Sequence, residues 1–258
     1  MNKLFLISGP CVVENDSTPM LIARTVKPMC DDLGIEYIFK ASYRKANRTR
    51  EDSFTGIGDE EALEIIRGIG RELNIRTLTD VHESQEVAMV AEYVDVLQIP
   101  AFLCRQTSLL HAAGKSGKIV NIKKGQFVSP EAMKYPIEKV IATGNHNVWV
   151  CERGFSFGYE DLIVDATAMP RLKKHGVPVV MDCTHSLQIP NHNSGISGGN
   201  PEFIETIARV AAATGADGLF IETHPEPKSA LSDGSSMLQL DLLYDILTNV
   251  MKIRLALQ

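Results

Sequence analysis

The chain has 258 residues, 44% of them hydrophobic and 22% charged, which is the ordinary balance of a globular protein with a buried core. Its formal net charge of -6 argues against nucleic acid or an acidic membrane surface as a partner. No apolar run in the sequence reaches the roughly 20 residues that span a membrane. Five widely spaced cysteines, an odd number, are not typical of a disulfide framework, so we expect a reducing, cytoplasmic location.

Short β-rich runs alternate with longer helical patterns along the chain. The pattern predicts strands at 3–9, 36–41, 75–79, 95–99, 118–122, 147–151, 177–182 and 218–222. It predicts helices at 18–33, 59–73, 84–92, 105–116, 130–143, 160–174, 201–214 and 236–254. This strict alternation is typical of a single (β/α)8 TIM barrel, an α/β fold that takes up residues 1–258 as one domain. A doubly wound sheet is the alternative, but no G-x-G-x-x-G motif follows the first strand.

Polar side chains collect where the predicted strands end. Two such runs are Asp80-Val81-His82-Glu83 and Asp182-Cys183-Thr184-His185. In a barrel these positions meet at the face that carries the active site, whereas ordinary solvent-exposed strand ends would show a more mixed set of polar residues. Three long loops, at 43–58, 186–200 and 224–235, are predicted at the same face to contact a substrate or to cover it.

Six cationic residues fall at or just beyond predicted strand ends. Each one alone could be a solvated surface charge, but a barrel would direct all six toward one mouth, where they would repel one another unless they faced anions. Phosphate and carboxylate groups fit, because Arg binds both in bidentate fashion. The pattern therefore predicts a multiply charged anionic ligand for Lys40, Lys45, Arg48, Arg105, Lys123 and Arg153.

Four potential metal ligands follow strands that adjoin one another in a closed barrel. They are Cys11, His185, Glu222 and Asp233. A thiolate, an imidazole and two carboxylates suit a divalent transition metal such as Zn, Fe or Mn. No short ligand spacing supports the site, so Cys11 as a buried core thiol and His185 as a structural or acid–base histidine stay open as alternatives.

Several segments together resemble the 3-deoxy-D-manno-octulosonate 8-phosphate (KDO8P) synthase family. They occur in family order and run nearly from end to end of the chain. The resemblance implies a (β/α)8 enzyme that condenses phosphoenolpyruvate with D-arabinose 5-phosphate and water, for lipopolysaccharide synthesis. The segments include Gly9-Pro10-Cys11, Phe39-Lys40-Ala41-Ser42, Lys45-Ala46-Asn47-Arg48-Thr49, Gln98-Ile99-Pro100-Ala101-Phe102-Leu103-Cys104-Arg105, Asn121-Ile122-Lys123-Lys124-Gly125-Gln126-Phe127, Glu152-Arg153-Gly154, and Glu222-Thr223-His224-Pro225-Glu226-Pro227.

The resemblance also implies roles for individual residues. It implies that phosphoenolpyruvate is held by Lys40, Ser42, Lys45, Arg105, Lys123 and Arg153. It implies that the sugar phosphate is bound by Asn47, Arg48 and Thr49. Further substrate contacts are expected from Gln98, Ala101, Phe102 and Gln188. Catalytic roles are expected for His185, Lys45 and Asp233.

The family has a metal-independent branch, which carries Asn at the position of Cys11, and a metal-dependent branch. This chain has Cys11, and its segment 230–233 resembles the loop of the metal-dependent branch. The resemblance therefore implies a divalent metal held by Cys11, His185, Glu222 and Asp233, with the choice of metal open. It also implies a homotetramer.

Two other functions stay open from the sequence. A 3-deoxy-D-arabino-heptulosonate 7-phosphate (DAHP) synthase, which uses erythrose 4-phosphate, typically shows Lys-Pro-Arg-Thr where this chain has Lys45-Ala46-Asn47-Arg48. The inserted Asn47 favours the five-carbon sugar. A non-catalytic sugar-phosphate sensor on a decayed barrel is the second alternative, but decay would have removed some of the cations or metal ligands.

Overall fold

Eight parallel strands close into a barrel in the computed structural model, which describes residues 3–48, 50–157, 161–189 and 198–257. The first strand pairs with both the second and the last, so no strand edge is left open. This confirms the predicted (β/α)8 fold. The strands are β1 (Phe5–Gly9), β2 (Glu36–Lys40), β3 (Arg76–Asp80), β4 (Val96–Ile99), β5 (Ile119–Lys123), β6 (Val148–Glu152), β7 (Val179–Asp182) and β8 (Gly218–His224).

One helix follows each strand and covers the outside of the barrel. The helices are α1 (Thr18–Asp32), α2 (Asp59–Leu73), α3 (Val87–Val90), α4 (Thr107–Lys115), α5 (Lys134–Ile141), α6 (Ala168–Lys173), α7 (Ile204–Ala213) and α8 (Leu243–Ala256). In α2 the spacing of Ala62, Leu63, Ile66 and Ile69 places four buried side chains on one face. Among the described residues, no helix combines the length and apolar character needed to cross a bilayer.

Side chains along each strand alternate between the helix layer and the barrel interior. The lower interior is filled by a separate apolar cluster that includes Phe5, Trp149 and Phe220. The rings of Phe5 and Trp149 lie 4.7 Å apart, centroid to centroid. This cluster, called here the apolar plug, closes the barrel from below. The next inward-facing positions toward the C-terminal ends of the strands therefore form the floor of a cavity. Those positions carry polar residues such as Lys40 and Asp182.

Two helix predictions placed the N-terminal boundary wrongly. The helix predicted at 160–174 begins only at Ala168, because Phe155–Phe157 and Asp161–Ile163 pair as an antiparallel hairpin over the barrel mouth. The helix predicted at 236–254 begins at Leu243, because Leu238–Gln239 is extended and pairs with the end of β8. In both segments strand pairing overrides a helical spacing of apolar residues.

Candidate active site

A cavity of about 510 Å³ opens above the apolar plug, at the C-terminal ends of the strands. It brings together most of the residues that the sequence singled out. Its walls also include Asp80, His82 and Gln126, which we had not assigned. The predicted residues that line it are Lys40, Lys45, Asn47, Arg48, Gln98, Ala101, Phe102, Lys123, Arg153, His185, Gln188 and Asp233.

Three of the predicted substrate residues do not line this cavity. Arg105 is exposed on a separate surface beside Phe127 and Tyr135, so the expectation that all six cations share one mouth is wrong for a single chain. A short 3-10 turn at Ala101–Leu103 separates Arg105 from the end of β4. Ser42 is buried outside the cavity lining, and its hydroxyl donates to the Asp80 carboxylate. Thr49 lies outside the described residues.

Carboxylates partly balance the cations of the cavity. Lys40 Nζ lies 2.5 Å from Glu222 Oε1, and Lys123 Nζ lies 2.7 Å from Asp182 Oδ2. The cations are therefore less exposed to mutual repulsion than the sequence pattern alone suggested. Within the described part of the chain, Lys45 and Arg153 are the cavity cations without a carboxylate oxygen inside 4.0 Å, and they are the ones best placed to bind an external anion.

Lys45 keeps its charge in this setting. Burial alone would lower the pKa of Lys45, but the neighbouring carboxylates of Glu222 and Asp233 raise it above its ordinary value. Arg153 is nearly buried and donates from Nη2 to the backbone oxygen of His185 at 2.6 Å and to Gln188 Oε1 at 3.2 Å. Both side chains are therefore charged, and Arg153 is held in place before any ligand arrives.

Three of the four predicted metal ligands form a compact group. Cys11, Glu222 and Asp233 each place one ligand atom so that all three atoms lie within 4.8 Å of one another. Cys11 Sγ lies 3.3 Å from Asp233 Oδ2. His185 is not part of that group, but its Nε2 lies 3.6 Å from Glu222 Oε2. Glu222 Oε2 is buried and has no hydrogen-bond partner among the described residues, and a divalent cation would complete such an unsatisfied carboxylate oxygen near a thiol.

The thiol of Cys11 depends on a cation for its ionisation. Burial raises the pKa of Cys11, and the charges of Asp233 and Glu222 raise it further. The thiol is therefore neutral at physiological pH unless positive charge is added. A divalent metal ion supplies such charge and binds the thiolate form. The donor set and its electrostatics thus fit the predicted metal.

Asp182 orients His185, a role that we did not assign from the sequence. His185 Nδ1 lies 2.9 Å from Asp182 Oδ2, and the backbone N–H of His185 donates to Asp182 Oδ1 at 2.8 Å. A proton on Nδ1 satisfies this contact and leaves the Nε2 lone pair directed toward Glu222. Burial would raise the pKa of Asp182, but His185 and Lys123 hold it well below its usual range.

Asp80 is the second carboxylate that the assignment from sequence missed. It accepts hydrogen bonds from Ser42 Oγ and from Gln98 Nε2, the latter at 2.5 Å. Burial would raise the pKa of Asp80, but Lys40, Lys45 and Lys123 hold it well below its usual range. Asp80 and Asp182 both end a strand at an inward position, so their place in the polar strand-end runs was a usable signal.

Comparison with known proteins agrees with this geometry. The model of the DAHP synthetase I family matches residues 1–257. The chain belongs to the DAHP synthetase I family. A 2-dehydro-3-deoxyphosphooctonate aldolase of Koribacter versatilis is 49% identical over 255 residues, which cover 98% of this chain and 91% of the relative. Proteins of the same name from Acidithiobacillus ferrooxidans and a Cyanothece species are 48% and 47% identical, over 95% and 98% of this chain and 88% and 92% of those relatives.

Within the DAHP synthetase I family, these relatives favour a KDO8P synthase over a DAHP synthase. Their shared name is a synonym of KDO8P synthase. The resemblance that we drew from the motifs is thereby confirmed over nearly the whole chain. The chain is related to enzymes. Five of the six predicted cations line its cavity, Arg105 lies elsewhere, and Asp233 joins the cavity lining to the compact group that it forms with Cys11 and Glu222.

Proposed function

We propose that this chain is a KDO8P synthase, which condenses phosphoenolpyruvate with D-arabinose 5-phosphate and water to give KDO8P and inorganic phosphate. This is a step of KDO and lipopolysaccharide biosynthesis. One observation carries the proposal. In a chain 49% identical to such an enzyme, Lys45 and Arg153 line the same cavity and have no carboxylate partner among the residues that the structure describes. A dianionic phosphate and a carboxylate are the groups that such a space attracts.

The substrates are proposed to lie at different depths of the cavity. Phosphoenolpyruvate takes the inner part, where Lys40, Lys45, Lys123 and Arg153 surround its phosphate and carboxylate. The sugar phosphate extends outward along the loop after β2, toward Asn47 and Arg48. Arg48 Nη1 is anchored by a 2.8 Å hydrogen bond to Ser232 Oγ, which leaves its other nitrogen donors for the ligand.

The reaction forms a carbon–carbon bond and breaks a carbon–oxygen bond. Carbon 3 of phosphoenolpyruvate attacks the sugar aldehyde, water adds at carbon 2, and the resulting hemiketal phosphate loses phosphate. The fixed cations hold both substrates close to the geometry of attack and stabilise the shifting negative charge. Lys45 serves this purpose because its pKa is raised, so it stays cationic throughout. His185, Asp233 and Lys45 are the proposed catalytic side chains.

We propose a divalent transition metal, such as Zn, Fe or Mn, held by Cys11, His185, Glu222 and Asp233. The compact group of Cys11, Glu222 and Asp233 and the unpaired oxygen of Glu222 support this assignment. When bound, such a metal would polarise a carbonyl or a water molecule. His185 contributes through its Nε2, which the contact of Nδ1 with Asp182 leaves free.

A homotetramer in the cytoplasm completes the proposal. All five cysteines are free and buried, as suits a reducing compartment. Large apolar side chains are exposed beside the barrel mouth, which is the kind of surface that subunits cover. They are Phe102, Phe127, Tyr135 and Phe157. Light scattering on the purified protein tests whether it forms a tetramer.

The function is tested by offering both sugars at once. The purified protein is incubated with phosphoenolpyruvate and equal concentrations of arabinose 5-phosphate and erythrose 4-phosphate, and the products are separated by mass. We expect the eight-carbon product to predominate. A dominant seven-carbon product would identify a DAHP synthase instead. Saturable binding of sugar phosphate without any product would identify the non-catalytic sensor.

A further inference from the structure

Two charged side chains that the proposed reaction does not use are buried directly behind the anion site. Lys124 and Glu152 are both fully buried, and Lys124 Nζ lies 3.3 Å from Glu152 Oε1. Each is the chain neighbour of a residue that faces the cavity, Lys123 in one case and Arg153 in the other. Because side chains alternate along a strand, the buried pair points away from the cavity, toward the outer layer.

Lys124 holds the backbone of two neighbouring loops at the barrel mouth. Its ammonium donates to the backbone oxygen of Gly125 at 3.2 Å and to that of Gly154 at 3.1 Å. It also lies 3.6 Å from the centre of the Phe155 ring, within range of a cation–π interaction. One side chain thus joins the loop after β5 to the turn after β6 and to the hairpin that follows.

Glu152 holds the same turn from the other side. Its Oε1 accepts the backbone N–H of Arg153 at 2.9 Å and that of Gly154 at 2.7 Å. Gly154 has a φ of 83°, a conformation that favours glycine, so the chain reverses sharply just after Arg153. The backbone of Gly154 is therefore fixed at its N–H by Glu152 and at its carbonyl oxygen by Lys124.

We propose that Lys124 is a positioning residue for Arg153, and that the buried pair of Lys124 and Glu152 sets the affinity of the inner site for phosphoenolpyruvate. This rests on the proposed function, in which Arg153 binds that substrate. The pair fixes the backbone on both sides of the Arg153 Cα, so the guanidinium enters the cavity at a defined angle. The contacts of Arg153 with His185 and Gln188 are made by Nη2, at the far end of the side chain, and do not involve the backbone of the turn.

A role of Lys124 that is limited to balancing the charge of Glu152 predicts a different result from a role in positioning Arg153. Lys124 is the only cation of the described residues whose nitrogen lies within 4.0 Å of the Glu152 carboxylate, so it neutralises a buried charge. If that were its whole role, removal of both charges together would leave substrate binding unchanged. If Lys124 acts by holding the Gly154 oxygen, the neutral pair would still bind phosphoenolpyruvate poorly.

The test compares wild type, Glu152→Gln, the double variant Lys124→Met/Glu152→Gln, and Lys174→Met as an exposed control. Gln at 152 keeps an oxygen for the two backbone amides and removes the charge that Lys124 balances. We expect the double variant to raise the KM for phosphoenolpyruvate roughly 10- to 100-fold, while kcat and the KM for the sugar phosphate change by less than about 3-fold. Calorimetric titration with phosphoenolpyruvate alone should show the same loss of affinity.

Two results would overturn the inference. A double variant that binds phosphoenolpyruvate as wild type does, even with a lower Tm, would leave Lys124 with only a charge-balancing role. An equal loss in both KM values would indicate general damage instead of positioning. If the double variant does not fold, Lys124→Arg, which keeps the charge, is measured instead. The same comparison applies, between its KM for phosphoenolpyruvate and its KM for the sugar phosphate. A wild type that does not bind phosphoenolpyruvate would refute the proposed function, whereas an active wild type beside an unaffected variant refutes only this inference.

Discussion

Lys40 and Glu222 form a buried ion pair that joins the proposed anion site to the proposed metal site. Lys40 Nζ lies 2.5 Å from Glu222 Oε1 and also donates to the backbone oxygen of Cys11 at 3.0 Å. The side chains of Lys40 and Glu222 are 2% and 0% exposed. One carboxylate oxygen therefore faces the cation, while the other, Oε2, has no hydrogen-bond partner in the described part of the chain and lies 3.6 Å from His185 Nε2. Glu222 therefore belongs to both the proposed anion site and the proposed metal site.

Lys40→Met is expected to lower the free energy of unfolding by about 3–5 kcal/mol, because it leaves the Glu222 charge buried and unpaired. Lys27→Met is the matched control, since Lys27 Nζ lies at the same 2.5 Å from Asp31 Oδ2 but on the surface. That substitution is expected to cost less than about 1 kcal/mol. Urea unfolding measures both. Equal losses would mean that burial of the Lys40 pair has no energetic consequence.

Cys11→Asn is expected to weaken divalent metal binding at least about 10-fold, because the thiolate ligand is replaced by a neutral amide. Competition with a chromogenic chelator measures the affinity. Cys30→Ala provides the control, because Cys30 is equally buried but lies within α1, outside the site. Full metal affinity in Cys11→Asn would remove Cys11 from the ligand set.

Glu14 is expected to support the metal site from outside. Its Oε1 accepts His224 Nε2–H at 2.8 Å, and its Oε2 accepts the backbone N–H of Leu231 at 3.0 Å. The carboxylate thus holds the loop in which Asp233 adopts a left-handed φ of 49°. Glu14→Gln has only one acceptor oxygen, so one of these two contacts is lost.

We expect Glu14→Gln to lower metal affinity roughly 10-fold, as is typical of residues that support a ligand. Glu226→Gln is its control in the same loop, because the Glu226 side chain is exposed and its backbone N–H still donates to His224 Nδ1. The same chelator competition applies. Indistinguishable affinities for the two variants would show that the Glu14 bridge does not position Asp233.

Glu86 is expected to give a pH-dependent contribution to stability. Burial would raise the pKa of Glu86, but the His82 imidazole, whose Nδ1 lies 3.3 Å from Glu86 Oε1, and the backbone N–H of His82, which donates to the same oxygen, lower it to about 2. Because the folded pKa lies below the unfolded one, this stabilisation is complete above the unfolded pKa near 4.5 and is lost as the pH falls toward 2.

Glu86→Gln is therefore expected to cost about 2 kcal/mol at pH 7, and less at pH 3.5. Urea unfolding at the two pH values measures the difference from wild type, and exposed Glu92→Gln serves as the control. A cost that stays constant from pH 7 to pH 3.5 would contradict the assigned cause.

The sequence predicted the barrel well, because each strand is a short β-rich run followed by a helical pattern. The prediction from sequence was wrong where two short strands pair with each other at the barrel mouth. The strand Asp161–Ile163 was assigned to a helix, since Val164, Ala168 and Leu172 have helical spacing while the pairing of Phe155 with Ile163 leaves no local pattern.

The residues of the site were predictable where they end a strand at an inward position, as Lys123 does. Lys124 was not singled out, although alternation alone indicates that it faces the opposite layer. The pairing of Lys40 with Glu222 could not be predicted, because it depends on closure of β8 onto β1 and not on any spacing along the chain. Arg105 was misplaced because the short turn at Ala101–Leu103 lies between the end of β4 and this residue, so strand alternation does not set the direction of its side chain.

The most direct test measures phosphate release from phosphoenolpyruvate and arabinose 5-phosphate by purified protein, before chelator treatment, after it, and after a divalent metal is added back. We predict release before treatment, loss on stripping and recovery with the metal. Release that survives complete stripping would keep the synthase but exclude a required metal at Cys11, His185, Glu222 and Asp233. No release in any of the three samples would contradict the proposed function itself.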